Sequence, residues 1–183
     1  MAKLRVAVLG ATGYSGLELT RILARHPRLD TPLLLRRTET HEHSHLAEVF
    51  PHVAGNGHLP LEAFSWSRLQ EDKADLLFLA TPHATSRELV PEAIARGLRV
   101  VDLSGAWRLK QEQHRAVYGF HDADAAKAAD LDARAVYGLP ELNGKQIPGA
   151  ALVANPGCYA TSVILALAPL LSADLVDLSL IHI

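Results

Sequence analysis

Short unbroken apolar runs alternate along this chain with longer stretches whose apolar residues recur every three or four positions. The first run, Leu4-Arg5-Val6-Ala7-Val8-Leu9, is a β-branched strand, and it leads into Gly10-Ala11-Thr12-Gly13-Tyr14-Ser15-Gly16. Residues 17–26 follow with helical spacing at Leu19, Ile22 and Leu23, stopped by Pro27. Pro32-Leu33-Leu34-Leu35 predicts a second strand, Asp75 to Ala80 a third, Arg99 to Leu103 a fourth and Ala151 to Ala154 a fifth. Helices are predicted over Ser86 to Arg96, closed by Gly97, near Ala123 to Ala129, and over Ser162 to Leu171. A looser region runs to about Leu142. Strand and helix in alternation predict an α/β fold, a Rossmann-like, doubly wound, mostly parallel sheet. The expected division is a nucleotide-binding domain over 1–157 and the start of an α+β domain over 158–183.

The order strand, glycine turn, helix gives the G-x-x-G-x-x-G spacing its meaning. Gly10 would make the tight turn, Gly13 would admit a pyrophosphate, and Gly16 would let helix and strand pack closely. The helix N-terminus would supply N–H donors to phosphate. At the end of the second strand Arg36 and Arg37 stand where a ribose-binding acid is usual, and the nearest acid is Glu39. Cations there favour NADP over NAD, because a 2′-phosphate replaces a hydroxyl.

The single cysteine, Cys158, lies in Asn155-Pro156-Gly157-Cys158-Tyr159-Ala160-Thr161, just before the Ser162–Leu171 run. A thiol at a helix N-terminus meets unpaired N–H groups and the positive end of the helix dipole, which favour thiolate. Pro156-Gly157 makes a turn that exposes the sulfur, so a nucleophile is expected in preference to a small core residue. Polar residues converge at four strand ends: Gly10–Gly16, Thr81-Pro82-His83, Ser104 to Arg108, and Asn155 to Cys158. Parallel sheets bind ligands at such ends. Arg108 is a candidate for an anionic substrate group, and His83 for a cofactor wall or helix cap.

Composition narrows the remaining classes. The 183 residues are 49% hydrophobic and 21% charged, with a net charge of −2, so no nucleic-acid surface is expected. One cysteine forms no internal disulfide and fits a reducing cytoplasm. With a strand predicted at the start no signal peptide is expected, and no apolar run approaches the length of a membrane span. His41, His43 and His45 read as a solvated loop, and no metal is expected.

The assembled segments resemble N-acetyl-γ-glutamyl-phosphate reductase, within the aspartate-semialdehyde dehydrogenase superfamily. They are the glycine turn, Leu79-Ala80-Thr81-Pro82-His83, Val101-Asp102-Leu103-Ser104, Tyr137-Gly138-Leu139-Pro140-Glu141 and Asn155-Pro156-Gly157-Cys158-Tyr159. The resemblance implies reduction of an acyl phosphate to a semialdehyde with NADPH, in arginine biosynthesis. Cys158 would expel phosphate to form a thioester, which hydride then reduces. By the same resemblance Gly10, Thr12, Gly13, Tyr14, Ser15, Gly16, Arg36, Arg37, Thr81 and Pro82 would bind cofactor. Arg108, Asn155 and Glu141 would meet substrate.

Ala160 departs from the family's proline, and Ser104-Gly105-Ala106-Trp107-Arg108 from its Ser-Ala-Asp-Phe-Arg. Family members exceed this chain greatly in length, and His182 does not match their acid/base histidine. A fragment is therefore expected, inactive alone, with an exposed Val163–Leu171 face, weak stability and self-association. The full-length protein would be a cytoplasmic homo-oligomer. Aminoadipyl- or aspartyl-phosphate reduction, or a nucleotide-binding module without turnover, are the alternatives. A Tyr-x-x-x-Lys reductase is set aside, since no tyrosine has lysine four residues later.

Overall fold

Apolar strands that read as continuous runs belong inside a sheet covered on both faces, and the chain folds that way. The computed structural model describes residues 3–37, 45–52 and 58–176. Seven strands form one sheet: β1 (Val6–Leu9), β2 (Leu33–Arg36), β3 (Leu61–Ala63), β4 (Leu76–Leu79), β5 (Arg99–Asp102), β6 (Val136–Tyr137) and β7 (Leu152–Ala154). Their order is β3-β2-β1-β4-β5-β7-β6, and every pairing is parallel. All carboxyl ends therefore share one edge. The helices are α1 (Tyr14–Leu23), α2 (Leu46–Val49), α3 (Trp66–Glu71), α4 (His83–Ala95), α5 (Glu112–Ala116), α6 (Ala125–Arg134), α7 (Pro140–Asn143) and α8 (Cys158–Ser172).

Alternation along β1 divides the core. Ala7 and Leu9 join Leu77, Leu79 and Val100 beneath Leu89, Val90 and Ala93 of α4. Val6 and Val8 face the other way, onto Leu17 and Leu23 of α1, with Leu34, Leu46 and Phe50. The doubly wound expectation holds.

Several sequence expectations shift in detail. On α1 the buried positions are Gly16, Leu17, Thr20 and Leu23, whereas Ile22 is 65% exposed. Close docking of Gly16 sets the helix rotation, and Thr20 enters the core because its hydroxyl donates to the Gly16 carbonyl at 2.7 Å. Helix α4 begins at His83, ahead of the predicted Ser86. The alanine-rich helix runs later than predicted. Asp124 caps it by accepting from the Lys127 N–H at 3.0 Å, and buried Leu131 and Asp132 extend it to Arg134. Strands β3 and β6 were not anticipated, being three and two residues long. Helix α8 starts at Cys158 itself, not at Ser162, since Gly157 is extended and its carbonyl accepts from the Thr161 N–H at 2.9 Å. None of the fifteen residues of α8 is buried, and Tyr159 and Val163 are largely exposed. Glu39, His41, His43, His182 and the chain's last seven residues, 177–183, lie outside the described residues.

Candidate functional site

Backbone bonds past the strand ends bring four loops together. The Gly10 N–H donates to Leu35 O (3.0 Å), Ala80 N–H to Leu9 O (2.9 Å), Leu103 N–H to Leu79 O (2.9 Å) and Asn155 N–H to Asp102 O (2.9 Å). The glycine turn, Thr81, Ser104 and the cysteine turn thus stand along one edge of the sheet.

Each glycine of the first turn has a different constraint. Gly10 has φ +93°, and a Cβ there would sit 2.3 Å from Ala80 O. A Cβ on Gly16 would sit 2.1 Å from Gly10 O, so helix and turn touch backbone to backbone. Gly13 is freer, its nearest neighbour being Gly10 O at 3.6 Å, and it precedes α1 with no side-chain cap. Its open side leaves room for an incoming phosphate at the helix N-terminus.

A cleft of about 340 Å³ opens between β1 and β4, where the strand order reverses. Gly10, Thr12, Gly13, Arg36, Arg37, Thr81, Pro82 and Thr85 are among its lining residues. Eight of those predicted for cofactor thus split: seven line the cleft, while Gly16 lies buried behind the turn. Tyr14 and Ser15 open α1 on its exposed side, and the Tyr14 ring lies 6.2 Å from that of Phe50. Thr81 Oγ1 is buried in this lining without a hydrogen-bond partner. An orphaned hydroxyl, two arginines and an uncapped helix end together fit a dinucleotide phosphate.

At the second focus, Cys158 is exposed at the first position of α8. Arg108 braces the turn before it: Nε donates to Asn155 O at 2.6 Å and Nη2 to Leu103 O at 2.8 Å. Its Nη1 lies where a Cβ on Gly157 would come within 3.0 Å, so that glycine makes room for the guanidinium. Asn155 Nδ2 donates to Pro156 O at 3.2 Å. Gly138 N–H donates to Ala154 O at 2.8 Å, and a Cβ there would strike Val153 Cγ1 at 2.7 Å. The Tyr-Gly-Leu-Pro-Glu segment therefore lies against the cysteine strand. Glu141 is exposed in the first turn of α7.

His83 Nδ1 accepts from the Gly105 N–H at 2.9 Å, so the neutral ring carries its proton on Nε2. Its ring meets Tyr118 and Phe120 edge-on at 5.6 and 6.1 Å. His83 tethers the β4 loop to the β5 loop; it is the first residue of α4 rather than its cap, and it is not among the residues lining the cleft.

Two groups were missed by sequence reasoning. Asp102 is fully buried, accepting from Ser104 N–H at 3.1 Å and from its hydroxyl at 2.7 Å. Burial pushes its carboxyl above the usual carboxylate range, against the pull of Ser104, Ser86 and Arg108. The Arg87 side chain is wholly buried on α4 and pairs with Asp122 (2.7 Å) and Asp132 (2.9 Å). Burial opposes its charge, yet hydrogen bonds to both aspartates raise its pKa overall. Arg115 joins the same two carboxylates. This network ties α4 and α6 to the loop that carries Trp107 and Arg108.

Comparison with known proteins places this architecture. The chain is 45% identical over 179 residues to an N-acetyl-gamma-glutamyl-phosphate reductase of Magnetococcus marinus (strain ATCC BAA-1437 / JCM 17883 / MC-1), covering 97% of this chain and 49% of that one. It is 43% identical over 174 residues to the protein of that name from Desulforudis audaxviator (strain MP104C), covering 95% and 49%. The chain spans about half the length of the curated relatives it matches. Among solved structures, aspartate semialdehyde dehydrogenase II from Vibrio cholerae superposes with a TM-score of 0.64 at 18% identity. That likeness covers 93% of this chain and 47% of the other, and it concerns the fold alone. Residues 5–150 match the model of the semialdehyde dehydrogenase NAD-binding domain, and the chain belongs to that family.

Proposed function

We propose that this chain carries the NADP-binding and nucleophile-bearing part of an enzyme that reduces N-acetylglutamyl 5-phosphate to its semialdehyde. One observation supports the reading above others: an exposed Cys158 opens α8 at the end of β7, in a turn braced by Arg108. The relatives named for this activity match the chain across the same region.

The Cys158 thiolate attacks the acyl carbon, an S–C bond forms, and the C–O bond to phosphate breaks with its electron pair leaving on phosphate. Arg108 fixes the Asn155–Cys158 turn, and its remaining N–H groups hold an anionic group of the substrate, while Asn155 and Glu141 meet uncharged parts of it. A bound nicotinamide supplies hydride chemistry. Gly10, Thr12, Gly13, Tyr14, Ser15 and Gly16 shape its phosphate site, Thr81 and Pro82 flank it, and Arg36 and Arg37 favour a 2′-phosphate.

Residues 1–157 form the cofactor domain in this reading, and 158–183 open a substrate domain. The whole enzyme is a cytoplasmic homo-oligomer. Among the described residues no helix is long and apolar enough to cross a membrane.

The test is phosphate release from N-acetylglutamyl 5-phosphate by the whole enzyme without added nicotinamide cofactor, with intact mass recording acyl transfer to the chain. The expected result is one phosphate and one acyl adduct per chain, both absent in Cys158→Ser. Release that is indifferent to C158S overturns the nucleophile. Faster acylation by aminoadipyl or aspartyl phosphate overturns the substrate.

A further inference from the structure

Arg37 stands in the cleft beside the glycine turn, and two groups on α4 hold it there. Its Nη1 donates to Thr85 Oγ1, and its Nη2 donates to Glu88 Oε2 at 2.7 Å. Thr85 and Glu88 are three residues apart, on one face of the helix. Thr85 itself lines the cleft with Arg37. The Arg37 and Glu88 side chains are 54% and 58% exposed. Water screens such a pair, so another anion can displace it at little cost.

Dinucleotide sites choose between cofactors with one charge at the end of the second strand. An acid there accepts from the ribose 2′-hydroxyl, and a cation there accommodates the 2′-phosphate. Here both charges are present, but they come from different places, the cation from the residue that follows β2 and the acid from α4. Resting on the NADP reading above, we propose that Glu88 sets cofactor discrimination by competing with the 2′-phosphate for Arg37.

A phosphate monoester carries a charge of about −1.5 to −2 near neutral pH. To use Arg37 it must either draw the guanidinium away from Glu88 or share it with a carboxylate close behind. Both routes weaken binding of the phosphorylated dinucleotide. A 2′-hydroxyl is uncharged and leaves the Arg37–Glu88 pair in place. Glu88 thereby narrows the preference that Arg37 creates, and Thr85, being neutral, does not.

The experiment is calorimetric titration of the 183-residue chain with NADP⁺ and with NAD⁺, in the wild type, Glu88→Gln, Glu88→Ala and Arg37→Met. Removing the carboxylate is expected to tighten NADP⁺ binding about two- to fivefold. NAD⁺ binding should be unchanged, and the gain should shrink at high salt. If E88Q and E88A weaken NADP⁺ binding, leave it unchanged or move both cofactors alike, the competition is overturned.

Arg37→Met separates this from the NADP reading. A wild-type preference for NADP⁺ that R37M removes keeps that reading, whatever Glu88 does. A wild type with no preference for NADP⁺, unaltered by R37M, overturns that reading and the role of Glu88 with it.

Discussion

The Arg87 guanidinium carbon lies 4.0 Å from the centre of the Trp107 ring, stacked upon it inside the core. The cation is bound on its edges by Asp122 and Asp132 and donates to Ala106 O at 3.2 Å. Trp107 in turn donates its Nε1–H to Ser86 at 3.0 Å. One arginine thus joins α4, α6 and the loop after β5.

Truncation of that arginine should be costly. Arg87→Met leaves two aspartates with Arg115 alone, and unpairing buried charge costs about 3 kcal/mol. Urea denaturation should show the loss, and Arg134→Met, on an exposed pair with Asp130, should cost less than about 1 kcal/mol. Equal losses in the two variants would deny the network its structural weight.

The glycines of the first turn should separate stability from nucleotide binding. Gly16→Ala forces a methyl against Gly10 O and should destabilise by about 1–3 kcal/mol. Gly13→Ala meets only ordinary contact in the protein and should hold its melting temperature. Its methyl nevertheless occupies space proposed for phosphate, so nucleotide affinity should fall about tenfold or more, for which about 1.4 kcal/mol of steric cost suffices. Calorimetry and thermal melting on the two variants check both halves.

For Arg108, a purely substrate-binding side chain would leave stability untouched. The geometry predicts otherwise. Arg108→Met strips partners from the Leu103 and Asn155 carbonyls and should cost about 1–3 kcal/mol by urea denaturation. Unchanged stability would return Arg108 to a ligand-only role.

Asp102 should leave a signature in the pH dependence. Its folded-state pKa is raised by burial, so in the window above the unfolded carboxylate value the native state binds more protons. Its contribution to stability therefore falls as pH rises through that window and returns as pH falls. Compared with Asp102→Asn across acidic to neutral pH, the wild type should gain in relative stability on acidification. A relative loss on acidification would reverse the assignment.

Much of this was legible in the chain because strand, glycine turn and helix are local patterns. Residues 6–16 carry their own turn and packing requirements, and Gly10 and Gly16 meet them as the spacing implied. Cys158 could be placed at a helix start from Pro156-Gly157, with the start misjudged by one turn. Arg87 could not be found this way. It sits one helical turn before Val90 on a buried face, but its partners Asp122 and Asp132 are 35 and 45 residues away. Arg108 carried a cue to anion binding, whereas its two carbonyl partners become visible only when the β5 and β7 loops are side by side. Strand β6 offers two residues of pattern and owes its existence to the edge that β7 presents.

The placement of β7 between β5 and β6 bears on the order of assembly. A nascent chain that has emerged through Asp102 can already close the layer β3-β2-β1-β4-β5 around the cofactor cleft. The outer edge of β5 then waits until residues 152–154 arrive, after residues 136–137 have already been synthesised. Parallel pairing across that interval has a high loop-closure cost and forms slowly. The nucleotide cleft can thus mature before the thiol reaches its station, and slow steps in folding should be seen first at Cys158.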